Sequence, residues 1–299
     1  MDRLQAMQIF VTVADAQGFA GAARQLQLSP PAVTRAIKDL ESHLGVRLLT
    51  RTTRVVRLTE AGARHAEDCR RILAELADAD ASVAGMHSAP RGRLVITAPL
   101  MFGALHVTPL VTDYLQRYPE VQAHCLFLDR VVNLLDEGVD VAVRIGALPD
   151  SSMQAVRVSQ LRRVLCASPA YLAQHGTPST PDDLASHTVT TIHGSGPTTE
   201  WRFWHQGAPR LVKLQPRMLT TTNDSAMAAA VSGFGITRLL SYQVAEHVRA
   251  GRLQILLADY EPPALPVHLL HREGRYAAQR VRAFLDMAVE RLRGVGALE

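Results

Sequence analysis

The stretch Leu28-Ser29-Pro30-Pro31-Ala32-Val33-Thr34-Arg35-Ala36-Ile37-Lys38-Asp39-Leu40-Glu41-Ser42-His43-Leu44-Gly45 constrains this chain more than any other. Both of its ends are marked. Ser29 can cap a helix by accepting a free backbone N–H. Pro30 fits the first helical position, where its missing N–H costs nothing, and Gly45 suits a left-handed C-terminal stop. At roughly 100° per residue, Val33, Ala36, Ile37, Leu40 and Leu44 form one apolar side. Pro31, Thr34, Arg35, Lys38 and Ser42 fall opposite, with Asp39 and Glu41 at the edges. A helix with one buried stripe and a hydroxyl-and-cation face fits a DNA major groove. The alternative is an ordinary amphipathic surface helix, so the flanking segments decide.

Upstream, Leu4, Met7, Phe10, Val11 and Ala14 recur at helical spacing on one side, with Ile9 and Val13 on another. Two apolar sides on one helix suggest burial on both, a second copy of the chain being one possible cover. Gly18 breaks that helix, and Phe19 to Leu26 makes a short second one. A brief turn then leads into the capped helix, which is the pattern of a helix-turn-helix. Downstream, Val46 to Thr59 is rich in β-branched residues around Arg51-Thr52-Thr53-Arg54 and reads as a small two-stranded wing. Arginines at such a tip can enter a narrow minor groove. Net charge is only +4, too small to argue nucleic-acid binding alone. Its distribution says more, because Arg24, Arg35, Lys38, Arg47, Arg51, Arg54 and Arg57 face only Asp39 and Glu41 between them. Thr59 and Glu60 start a further helix running to about His87, roughly 40 Å long. Its seam of Ala66, Cys69, Leu73, Leu76 and Val83 is narrow, as in a helix that pairs with another. Ser88 to Gly92 ends it at a domain boundary.

Phe19-x-x-Ala22-Ala23-x-x-Leu26, the segment from Leu28 to Arg54 and Leu58-Thr59-Glu60-Ala61-Gly62 together resemble the LysR-type transcriptional regulators. The match is long and ordered, and the remaining segments follow in the same order. The resemblance implies an α plus α/β architecture: a winged helix-turn-helix over 1–58, a linker and dimerisation helix over 59–90, and an effector domain over 91–299. That last domain would resemble type 2 periplasmic binding proteins, with one lobe at about 91–162 and 266–299 and the other at about 163–265. It also implies homodimers that often pair into tetramers, double-stranded DNA as partner, and a small organic effector between the lobes. The candidate DNA-binding residues are Pro30, Pro31, Thr34, Arg35, Lys38, Arg51, Thr53 and Arg54. Gly18, Ala20 and Pro30 depart from the hydroxyl-bearing and Gln residues that many members carry there, which leaves base reading to Thr34, Arg35 and Lys38.

From Arg93 onward, apolar strand-like runs alternate with helical ones, which implies two lobes on mostly parallel sheets. Leu265 to His271 reads as a strand returning to the first lobe, and Ala277 to Leu292 as a closing helix. A cleft between lobes is the usual small-molecule site. Its expected lining is Thr97, Pro99, Leu100, Met101 and Phe102 after the first strand, Arg144 at the third, Thr198 and Trp201 in a loop over 194–201, and Thr222 and Asn223 before an alanine-rich helix. Both strand-to-helix junctions are natural anion sites. Apolar and hydroxyl groups side by side suggest a small organic, even aromatic, molecule with a polar or anionic end.

Other classes are disfavoured. Twelve histidines lie scattered without metal-binding spacing. Neither Gly194-x-Gly196 nor Gly233-x-Gly235 opens a dinucleotide fingerprint, and there is no G-x-S-x-G elbow. The expectation is therefore no catalytic residue, no metal and no cofactor. Cys69, Cys125 and Cys166 read as three buried thiols rather than a disulfide framework. No apolar run approaches the ~20 residues that cross a bilayer. The N-terminus lacks a basic-then-apolar signal, so a cytoplasmic protein is expected.

Overall fold

The computed structural model describes residues 2–51, 56–83, 89–130, 138–148, 153–192, 200–271 and 278–295. The chain divides into two units, Met1–Ser88 and Ala89–Glu299.

In the first unit, α1 (Arg3–Asp15), α2 (Phe19–Gln25) and α3 (Pro30–Leu44) lead into an antiparallel pair, β1 (Leu49–Arg51) and β2 (Val56–Leu58), and then α4 (Glu60–Val83). The ends of α3 are those its sequence predicts. The Ser29 hydroxyl accepts from the Ala32 amide at 3.3 Å, and Gly45 is left-handed at φ 68°. Val33, Ala36, Ile37 and Leu40 are buried. Each of the larger three contributes roughly 1.5–3 kcal/mol by leaving water. The break between α1 and α2 falls at Gln17, whose φ is 49°, while Gly18 is extended.

The two apolar sides of α1 need no second chain. Ala6, Met7, Ile9, Phe10 and Val13 are buried within this unit, where α1 packs on α2, α3 and α4. The α4 seam is likewise split. Ala66 and Cys69 are fully buried in the same core, Ile72 and Leu73 are partly so, and Leu76 is 39% exposed. His65 packs its ring on Phe10, and Arg70 pairs with Asp15, fastening α4 to α1.

A polar joint connects α3, β1 and α4. The Glu41 carboxylate accepts from the amides of Leu48 and Leu49 at 2.8 and 3.1 Å. Thr59 donates its hydroxyl to the Arg47 carbonyl at 2.8 Å and accepts from the Gly62 amide at 2.9 Å, so it caps α4 as expected. Gly62 lies so close to Leu48 that a Cβ there would sit 1.9 Å from the Leu48 carbonyl oxygen. Only glycine permits that approach.

The second unit holds two five-stranded sheets. The first lobe has the order β4 (Val121–Phe127), β3 (Gly92–Ala98), β5 (Val141–Ile145), β14 (Leu265–His271), β6 (Gln154–Leu161). The second has β11 (Met218–Thr220), β8 (Val189–Ile192), β12 (Ile236–Leu240), β7 (Arg163–Ala167), β13 (Gln254–Leu256). The expectation of mostly parallel sheets needs correction, because both are mixed. β4, β3 and β5 run parallel, but β14 re-enters from the second lobe and runs antiparallel to β5 and β6. In the second lobe β7 runs antiparallel to β12 and β13. Strands that carry the chain between lobes must enter from the opposite end, and this sets their direction.

The chain crosses at Arg162, between β6 and β7. The Ser241 amide donates to the Arg162 carbonyl at 2.9 Å. After β3 come a short turn of helix α5 (Leu100–Phe102), a π turn (Gly103–Val107) and α6 (Thr108–Arg117). Helix α7 (Pro169–His175), α8 (Asn223–Val231) and α9 (Ser241–Arg249) belong to the second lobe, and α10 (Gln279–Leu292) packs on the first. A hairpin absent from the sequence reading, β9 (Glu200–His205) with β10 (Ala208–Lys213), covers one side of the second sheet through Trp201, Phe203 and Val212. Cys69 and Cys166 are buried, but Cys125 is only half-buried, and all three are free thiols. The sequence over 131–137 also reads as a short helix, and that stretch lies outside the described residues.

Replacing Glu41 by Ala strips the acceptor from two amides at the joint and should cost about 1–3 kcal/mol. Hydrogen–deuterium exchange of the full chain checks this. Peptides over 46–62 should exchange faster in Glu41→Ala but not in Lys38→Ala, whose residue faces solvent; equal protection at Leu48 and Leu49 would refute the joint.

Candidate functional site

The outer side of α3 is laid out as its periodicity demands. Pro30, Pro31, Arg35, Lys38 and Asp39 are exposed and Thr34 is half-buried, and together they line one shallow, open depression. Neither Arg35 nor Lys38 hydrogen-bonds or ion-pairs with any described residue. Both cations are therefore presented without an ion-pair partner among the described residues, with Asp39 beside them in the same depression. Glu41 is turned away into the joint below. In the wing, Arg51 ends β1 opposite Val56; Thr53 and Arg54 lie outside the described residues. Arg47 and Arg57 are exposed, and the Thr50 hydroxyl donates to the Arg57 carbonyl at 3.2 Å.

In the second unit the expected effector residues divide. Pro99, Leu100 and Met101 reach the surface, with Leu100 41% exposed. Thr97 is fully buried, and its hydroxyl donates to the Leu126 carbonyl at 2.7 Å. Phe102 is also fully buried, in the core of the first lobe. Arg144 is half-buried in β5, opposite His268. Trp201 is no loop anchor but a strand residue, 2% exposed. Thr198 lies outside the described residues. Thr222 caps α8, accepting from the Ser225 amide at 3.3 Å and donating to the Ser225 hydroxyl at 2.8 Å; Asn223 is the first helical residue.

The two helix starts expected to attract anions each have an aspartate of the chain beside them, and one of the two is bound. The Leu100 amide donates to Asp129 at 2.9 Å, and Asp224 stands in the first turn of α8. The sequence reading passed over a different cation pair. Arg163 and Arg238 are half-buried on neighbouring strands β7 and β12. Burial pushes the Arg163 guanidinium below its usual range. Burial, and then the charge of Arg163, push Arg238 down to about 9. An arginine inside an apolar strand, as in Ile236-Thr237-Arg238-Leu239-Leu240, was the available signal.

Comparison with known proteins fits this arrangement. Residues 4–63 match the family of bacterial regulatory helix-turn-helix proteins of the lysR type, and residues 87–293 match the LysR substrate binding domain. The chain belongs to the LysR family of transcriptional regulators. It is 35% identical over 292 residues to an HTH-type transcriptional repressor of Pseudomonas aeruginosa, spanning 97% of this chain and 92% of that one. It is 33% identical to the HTH-type transcriptional regulator CrgA of Neisseria meningitidis over 288 residues, 96% of each chain. The solved structure of CrgA superposes with a TM-score of 0.62, covering 96% of this chain and 98% of that one. Full-length AphB, described as a virulence activator of Vibrio cholerae, is 25% identical with a TM-score of 0.63, covering 97% and 99%.

The two lobes of this LysR-type regulator touch through an aromatic cluster. Phe102 and His106, from the first lobe, meet Tyr242 at the start of α9; ring centroids are 5.3 Å apart for Phe102–Tyr242 and 5.6 Å for His106–Tyr242. His106 lies in the π turn, which the Thr108 hydroxyl supports by donating to the Gly103 carbonyl at 3.1 Å. His106 Nε2 is buried with no hydrogen-bond partner among the described residues. Burial holds this imidazole below its ordinary pKa. His187, in the same unit, is lowered chiefly by burial too. An unfolded histidine takes up a proton near pH 6.5, where these native imidazoles do not, so their stabilisation is intact above that value and lost as pH falls below it. Both tryptophans, Trp201 and Trp204, report on this unit. Their fluorescence melt should fall between pH 7.5 and pH 5.5. His106→Phe should reduce that fall, and an unchanged pH slope would remove His106 as its source.

Proposed function

We propose that this regulator reads operator DNA with the outer side of α3 and that a small organic effector, held between the lobes of the second unit, modulates the result. Thr34, Arg35 and Lys38 reach base edges in the major groove, with Pro30 and Pro31 shaping the helix start. Arg51, Thr53 and Arg54 follow the backbone or minor groove. The single observation that carries this reading is the exposed state of Arg35 and Lys38, without ion-pair partners among the described residues, on a helix whose other side buries Val33, Ala36, Ile37 and Leu40. Two exposed cations without ion-pair partners on one helix face suit contact with a polyanion.

The regulator acts as a homodimer, or as two paired dimers, with α4 joining protomers through the part of its seam beyond Leu73. Leu76 is exposed there, and the earlier seam residues serve the internal core. An effector would bias the placement of two DNA-binding pairs and so the bending of the operator. Relatives of this length are named as transcriptional regulators, which supports a non-enzymatic role in the cytoplasm. Among the described residues no helix is long and apolar enough to cross a membrane.

Gel shifts with operator and scrambled duplexes over a range of salt test the reading. Arg35→Ala should cost roughly 1–3 kcal/mol of operator affinity and relax sequence preference. Unchanged affinity and selectivity would take Arg35 out of the interface. Equal binding of wild type to both duplexes would favour a DNA-coating protein over a regulator that reads sequence.

A further inference from the structure

Arg163 opens β7 and Arg238 lies within β12. The antiparallel register sets Arg238 opposite Leu165 and Leu240 opposite Arg163. The arginines therefore leave the same side of the sheet as diagonal neighbours, with stems roughly 7 Å apart. The Arg238 guanidinium lies over the Trp201 indole, 4.9 Å from the ring centroid, and gives one N–H to the Arg202 carbonyl at 3.3 Å. Arg163 hydrogen-bonds and ion-pairs with none of the described residues through its side chain. Among the described residues neither head is ion-paired with a carboxylate. Glu261 pairs with the adjacent Arg162 at 3.8 Å.

Two like charges at half-buried neighbouring positions, with no ion-paired carboxylate among the described residues, are unfavourable as they stand. Arginine cannot easily shed its proton, and its planar fork offers five donors. The arrangement is relieved when one small anion accepts from both forks. The location suits a ligand. Arg163 stands opposite Leu240, the last residue of β12, towards the end where α/β sheets take their ligands, and Arg238 lies two residues before it. It also adjoins the crossing between lobes, since Arg163 follows Arg162, and Leu240 precedes Ser241, whose amide binds the Arg162 carbonyl.

We infer that Arg163 and Arg238 form the oxyanion-binding end of an effector site, taking the carboxylate or phosphate head of a small organic molecule. Trp201, 2% exposed, is the positioning residue that fixes the Arg238 fork. The site's consequence for transcription rests on the effector reading above; its capacity to bind an anion does not.

Calorimetric titration of the full-length chain with benzoate, inorganic phosphate and neutral benzamide, at matched ionic strength in chloride, tests the assignment. At least one oxyanion should bind once per chain, and benzamide should not. Arg163→Gln and Arg238→Gln should each weaken that binding at least tenfold. Melting without oxyanion gives the second measurement. Arg163→Gln should melt no lower than wild type, because it removes a repelling neighbour and no side-chain partner among the described residues. Failure of both oxyanions to bind wild type, a loss below tenfold in either variant, or Arg163→Gln melting clearly below wild type overturns the site. Oxyanion binding that is lost in the variants but leaves wild-type operator affinity unchanged upholds the site and removes the effector reading.

Discussion

One carboxylate organises the DNA-binding unit. Glu41 takes the amides of Leu48 and Leu49, the residues that lead from α3 into the wing. Because those amides are held, the Arg47 and Leu48 carbonyls point where Thr59 can bind them. Thr59 in turn caps α4, and Gly62 lets that helix press on Leu48. Helix, wing and following helix are thus set by a short relay of hydrogen bonds rather than by packing alone. A carboxylate accepting two amides is a strong, directional contact. It also spends the negative charge of Glu41 inside the unit, so the outer side of α3 retains its positive balance.

The parts of this unit legible in the sequence are those with local causes. Ser29, Pro30 and Gly45 mark the ends of α3 by their own backbone preferences, and the stripe of Val33, Ala36, Ile37 and Leu40 follows from helical spacing. Thr59 as a cap is equally local. The cover on α1 was not legible, because two apolar sides reveal burial but not by what. Here α2, α3 and α4 of the same chain supply it. Glu41 was visible as an edge acid, but its partners lie seven and eight residues ahead across a turn, beyond what periodicity resolves.

The effector unit was legible in outline and less so in detail. Alternating strands and helices implied the lobes, and the return of Leu265–His271 to the first sheet follows from its apolar run. The antiparallel β14 and β7 were missed because strand direction is set by chain path, not by residue type. Thr97 was chosen for its hydroxyl at a strand end, yet that hydroxyl serves the neighbouring strand. Trp201 looked like a loop aromatic because glycines precede it, yet the β9–β10 hairpin draws it into the core. The helix starts at Leu100 and Asn223 were read as anion sites from backbone alone, and the chain's own Asp129 and Asp224 stand at them.

Arginine serves this chain in two physical settings, and the difference bears on what each can recognise. Arg35 is exposed, so its attraction to an anion is weak singly and screened by salt; it gains from a dense array of phosphates that releases counterions. Arg163 and Arg238 are half-buried, where a charge interaction is stronger and less screened than at the open surface. A sheet that carried both arginines merely as surface charges would leave them solvated and apart. Their desolvation beside Trp201 instead makes an empty pair costly and a filled one favourable. That gap between empty and filled states is what a ligand needs if it is to shift the balance between two arrangements of the lobes.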